Sequence, residues 1–108
     1  MRLSLLLLCL ALAGCDSASP RMAGGGEVRL TRDGRNYAVH VKGRAVEVIR
    51  FGWAPRAEQG VIRAQMVALI PEATGCLPWR GSVTGDSGVI RGRLRCPRGK
   101  IPVPPGLR

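Results

Sequence analysis

Apolar and polar side chains alternate along Glu27-Val28-Arg29-Leu30-Thr31-Arg32, break at Asp33-Gly34, and alternate again along Arg35-Asn36-Tyr37-Ala38-Val39-His40-Val41. A period of two marks a half-buried strand, and Asp-Gly between two such runs is a strong signal for a two-residue hairpin turn. A turn at that dipeptide sets Val28 opposite Val39 and Leu30 opposite Tyr37, so that all four share one face. Lys42-Gly43-Arg44 supplies a second short turn into Ala45-Val46-Glu47-Val48-Ile49-Arg50-Phe51. With either Lys42-Gly43 or Gly43-Arg44 at its centre, Val46 and Val48 stay on the face of Tyr37 and Val39. The pattern predicts a three-stranded antiparallel meander, with His40 across from Glu47 or Ala45 according to the register.

Residues 55–70 carry two periodicities at once. Ile62, Met66, Leu69 and Ile70 follow the spacing of one helix face, Pro55 suits a first helical turn, and Pro71 is expected to stop the element. Ile62, Ala64, Met66, Ala68 and Ile70 also alternate as a strand would. The run of Ala, Gln, Met, Arg and Leu decides for helix, although an internal Gly60 costs up to about 1 kcal/mol. Beyond it, Ser82-Val83-Thr84 and Val89-Ile90-Arg91 flank the polar loop Gly85-Asp86-Ser87-Gly88 and predict a further hairpin. Pro78 marks an edge strand or an irregular start. Along the last strand Ile90, Gly92, Leu94 and Cys96 point one way and Val89, Arg91, Arg93 and Arg95 the other. That sets the arginines in a ridge with about 7 Å between successive members. The expected fold is α+β, a small antiparallel sheet in β-β-β-α-β-β order with one helix packed on one face. Were residues 61–70 a strand, the alternative would be an all-β small barrel or meander.

Ahead of the domain the chain begins with Arg2, a leucine-rich run over residues 3–12, and Leu12-Ala13-Gly14-Cys15. This arrangement resembles the lipobox of bacterial lipoproteins, in which signal peptidase II cuts before the cysteine and the cysteine carries lipid. The apolar run falls short of the roughly 20 residues that a spanning helix needs. Ala11-Leu12-Ala13 would also suit an ordinary secretory cleavage site. The resemblance implies a signal peptide over residues 1–14, and lipid on Cys15 through its sulfur and its new amino group. Two or three chains anchor stably where one does not. It implies a location in the bacterial cell envelope, lipid-anchored and facing the periplasm. Asp16 resembles the enterobacterial signal for retention in the inner membrane. Residues 15–26, which end in Gly24-Gly25-Gly26, read as a flexible tether, and residues 27–96 as one small domain. Residues 97–108 read as a basic, proline-rich tail.

With Cys9 lost in the leader and Cys15 taken by lipid, Cys76 and Cys96 remain of the four cysteines. In an oxidising compartment two such thiols read as a disulfide, and with one histidine they fall short of a zinc set. A core of roughly 70 residues is marginal, so a covalent staple helps. The formal net charge is +10, and 15 of the 17 basic residues are arginine. A solvated surface explains this charge. So does a contact surface at Arg91, Arg93 and Arg95 for anionic lipid headgroups or an acidic envelope protein. At the exported location that the resemblance implies, no nucleic-acid partner is expected.

Candidate chemistry is sparse. Gly85-Asp86-Ser87-Gly88 resembles the stretch around a chymotrypsin-like nucleophile, but Val89 stands where a glycine is expected and the chain is too short for that double barrel. Asp86 adjoins Ser87, so it could not orient His40, the only histidine. There is no phosphate loop and no metal cluster, and no cofactor is expected. Trp53 and Trp79 are expected in the core; exposed, they would suggest a ligand or glycan platform. The reading is a membrane-anchored, non-catalytic binding module. The alternative is a periplasmic inhibitor of a lytic enzyme such as lysozyme. A protruding loop at residues 85–88 would favour inhibition, a flat basic face docking, and a concave polar pocket an enzyme or carrier.

Overall fold

The structure is a computed structural model, and it describes residues 19–97. The leader, Cys15, Asp16 and the tail from residue 98 lie outside the described residues. Strands β1 (Gly26–Arg32), β2 (Arg35–Lys42) and β3 (Ala45–Phe51) form the meander. A 3-10 turn (Arg56–Glu58) and helix α1 (Gln59–Thr74) follow, then the short strands β4 (Leu77–Pro78) and β5 (Thr84–Gly85), and finally β6 (Val89–Arg95). The antiparallel sheet runs β1-β2-β3-β6-β4, with β5 also on β6. The domain is α+β, with its helix on one face of a curled sheet.

Both tight turns follow from their residues. Asp33 and Gly34 take φ of 51° and 75°, the doubly left-handed pair of a I′ hairpin, and Val28 faces Val39 while Leu30 faces Tyr37. At the second turn Gly43 alone is left-handed, with φ 58°, and Lys42 pairs with Ala45. The central pair is therefore Gly43-Arg44, and His40 lies across from Glu47.

Helix α1 buries Ile62, Met66, Leu69, Ile70 and Ala73 against Val39, Val46, Val48, Ile90 and Leu94, which form the main core. Pro71 does not end it. The missing proline N–H leaves one carbonyl unserved, while another turn of helix buries Ala73 and Thr74. Gly75, at φ 73°, makes the stop and donates its N–H to the Pro71 carbonyl at 2.9 Å. The Thr74 hydroxyl donates to the Ile70 carbonyl at 2.7 Å and accepts the Cys76 N–H at 3.0 Å, which turns the chain into β4. Cys76 and Cys96 meet there as a disulfide, with Cα atoms 4.5 Å apart.

The expected last hairpin is interrupted. Leu77 pairs with Arg95 and Thr84 with Arg91, so six intervening residues along one side answer three along the other. The extra residues form a turn in which Ser82 N–H donates to the Trp79 carbonyl at 3.0 Å and Gly81 takes φ 79°. Neither tryptophan lies in the core: Trp53 is 87 % exposed and Trp79 52 %. Trp53 follows Gly52 in the connection after β3, where Ala54 is the residue that turns inward. Trp79 begins the excursion, and its ring carries the Arg95 guanidinium at 5.5 Å. The core volume is filled instead by Tyr37, Met66 and the aliphatic side chains.

The face of the sheet turned away from α1 is also partly covered. Ala38, Glu47 and Ile49 point there by register, yet all three are buried. Residues 19–25, expected as part of the tether, are laid over this face, with Met22 buried in a 3-10 turn (Pro20–Met22). A Cβ on Gly25 would come within 2.3 Å of the Val41 carbonyl, so only glycine allows the segment to enter β1 so closely. Ser19 at the start of this segment bonds to Glu47, and Met22 is the apolar side chain the segment buries.

Candidate functional site

Glu47 is the centre of the covered face. It is 1 % exposed, and its neighbours across the sheet are His40 on β2 and Arg91 on β6. The expected surface pairing of His40 with Glu47 is replaced by other partners. Ser19 donates its N–H to Oε1 at 3.0 Å and its hydroxyl to Oε2 at 2.8 Å, and Arg91 Nε donates to Oε2 at 3.0 Å. Burial alone would raise the carboxyl; the Ser19 bonds and the Arg91 charge outweigh it and hold Glu47 below its ordinary value. One buried carboxylate thus ties the start of the described chain to the last strand. It also holds the Arg91 Nε, while that side chain stays half-exposed.

Arg91, Arg93 and Arg95 lie on this same face, because Ile90, Gly92 and Leu94 alternate with them toward α1. Arg93 faces Ala45 and Arg95 faces Leu77. A cavity of about 250 Å³ opens between the N-terminal segment and β6. Ser19 and Arg21 line it on one side, Ser82 and Thr84 on another, and Arg91 and Arg93 on the strand itself. Three arginines line it with one carboxylate whose oxygens are already bonded, and of the three hydroxyls those of Ser19 and Ser82 donate to Glu47 and to the Trp79 carbonyl, at 2.8 and 2.7 Å. Such a set can accept a small anionic group, because Arg presents a planar fork of donors. Arg21 and the Ser19–Glu47 bond were not legible from residue patterning. The signal that could have found them is the apolar pair Ala38 and Ile49 on what would otherwise be an open face.

Charge is segregated around this site. Lys42, Arg44 and Arg80 are exposed at the same end of the sheet: Lys42 and Arg44 adjoin the Gly43 turn, and Arg80 follows Trp79. The Arg44 carbonyl accepts the Leu94 N–H at 2.7 Å, and the Arg93 carbonyl accepts the Trp79 N–H at 2.8 Å, which joins turn, excursion and strand into one surface. Among the described residues, Arg21, Lys42, Arg44, Arg80, Arg93 and Arg95 form no ion pair. Among the described residues the acids lie elsewhere or are already used. Glu58 and Glu72 pair with Arg35 and Arg32 on the helix side. Asp33 accepts from Gln65 in the far turn. Glu27 pairs with Arg29, whose guanidinium sits over Phe51.

Ser87 and His40 do not come together. Ser87 is turned inward in a loop where the Asp86 carboxylate accepts the Gly88 and Val89 N–H groups at 2.8 and 3.2 Å. These two bonds hold the Asp86 carboxyl below its ordinary value, in that order of strength. His40 lies two strands away, in the row of Glu47 and Arg91. Among the described residues no cluster of His, Cys, Asp and Glu could hold a metal ion. The two tryptophans do not form a platform, since Trp53 follows the far end of β3 and Trp79 bonds to Arg93 at the near end of β6. No family model, no curated protein and no solved structure matches the chain.

Proposed function

We propose that the chain is a lipid-anchored, non-catalytic binding module of the bacterial cell envelope. The observation that carries this reading is the segregated arginine face, an open surface built for contact with an anionic partner, in a chain that begins with a lipobox-like leader. The Cys76–Cys96 bridge suits an oxidising compartment such as the periplasm. Among the described residues no helix is long and apolar enough to cross a membrane; in this reading the attachment is the lipid on Cys15. The loop at residues 85–88 lends no support to an inhibitor of lytic enzymes. Arg50 N–H donates to the Gly88 carbonyl at 2.9 Å and Arg63 Nε to the Gly85 carbonyl at 3.0 Å, which brace the loop against sheet and helix.

Radiolabelled fatty acid supplied to expressing cells should enter the wild-type chain and leave Cys15→Ser unlabelled. Label on the serine variant would sink the anchored reading.

A further inference from the structure

We infer that the arginine face lies on an anionic phospholipid bilayer, with headgroup phosphates entering the cleft between the N-terminal segment and β6. This inference rests on the anchored reading, and three observations carry it further. The first is where the anchor must leave the domain. Ser19 is fixed to Glu47 at 2.8 Å, beside Arg91, and Cys15 precedes it by four residues. An extended chain of four residues reaches at most about 14 Å, so a lipid on Cys15 enters the bilayer close to this face and no other.

The second is charge. Arg21, Lys42, Arg44, Arg80, Arg93 and Arg95 are exposed and form no ion pair among the described residues. Each cation held near an anionic leaflet strengthens binding by about fivefold. Within the cleft the Glu47 carboxylate is bonded to Ser19 and Arg91, so it repels an incoming phosphate less than a free acid would. Thr84 lines the same space, while the Ser82 hydroxyl is held by the Trp79 carbonyl and the Arg93 N–H.

The third is the apolar rim. Leu77 is 58 % exposed and shares the face of its pairing partner Arg95, and Trp79 is half-exposed beneath the Arg95 guanidinium. A tryptophan beside arginines suits the headgroup layer, where its ring is apolar and its N–H finds a partner. An acidic protein would use the charge, but it gives no reason for the anchor to leave from the same face.

The test uses the mature chain from residue 15 with Cys15→Ser, made without residues 1–14, so that neither lipid nor the apolar leader plays a part. It is sedimented with vesicles of phosphatidylcholine alone and of phosphatidylcholine mixed with phosphatidylglycerol. Binding is expected to the mixed vesicles only, and to fall with added salt. Arg21→Ser/Arg93→Ser/Arg95→Ser should lower that partition by about a hundredfold. Arg32→Ser/Arg56→Ser/Arg63→Ser removes equal charge from the helix side and should cost at least about tenfold less. Thermal unfolding of each variant shows whether the fold survives, and any triple that fails is replaced by its single substitutions. Equal binding to both vesicles, no binding to either, or equal losses in the two triples would overturn the inference. Fatty-acid labelling of Cys15 is read separately, so loss of either result leaves the other standing.

Discussion

Glu47 shows how a single residue escapes sequence patterning. On an alternating strand it occupies a position that should be wet, yet a segment 28 residues earlier in the chain returns to cover it. Its effect on stability has a defined sign. The folded carboxyl sits below the ordinary value of 4.5, so its contribution is complete above that pH and is lost as pH falls through the lower, folded value. Glu47→Gln keeps the volume and removes the charge that Ser19 and Arg91 serve. At neutral pH it should cost about 2–3 kcal/mol, the worth of bonds to a buried charge. Urea denaturation should show that deficit shrinking at pH values below the folded carboxyl's range. A deficit of the same size at neutral and strongly acid pH would refute the assignment. Trp53 and Trp79 teach the complementary point. Size and apolarity favour burial, but their places beyond strand ends leave nothing large enough to cover them.

At the scale of elements, what was legible was local. Asp33-Gly34 and Gly43 dictate turns through their backbone freedom, and the registers of β1, β2 and β3 follow residue by residue. The i, i+4, i+7, i+8 spacing of Ile62, Met66, Leu69 and Ile70 names the buried side of α1. Two boundaries were not legible. The helix passes Pro71 because tertiary burial of Ala73 outweighs one lost hydrogen bond, and β4 and β5 are split because the excursion after Pro78 has no periodicity. The staple was legible by elimination among four cysteines, and it closes a separation of 20 residues. In the chain-entropy account such a closure contributes roughly 3 kcal/mol. Cys96→Ser should therefore lower the urea midpoint while leaving the folded circular dichroism spectrum unchanged. A midpoint equal to that of the oxidised wild type would show that the bridge constrains nothing.

At the scale of the whole molecule, the two sides of the sheet differ in what they face. One side is closed by α1, where Glu58 and Glu72 pair with Arg35 and Arg32. The other carries the N-terminal segment, the arginine ridge and the edge with Leu77 and Trp79, and among the described residues the acids on it, Glu27 and Glu47, are already bonded. The ridge was legible as an alternation; its alliance with Arg21, Lys42 and Trp79 was not, because it arises from contacts between distant parts of the chain. The two exposed tryptophans, one at each end of the domain, make this orientation directly observable. In the mature Cys15→Ser chain, made without residues 1–14, Trp53→Phe leaves Trp79 as the sole indole, and Trp79→Phe leaves Trp53. On adding phosphatidylglycerol-containing vesicles, Trp79 emission should shift to the blue while Trp53 emission stays at its value in water. A blue shift of Trp53 with Trp79 unchanged, or no shift of either, would contradict a domain that rests on the membrane through its arginine face.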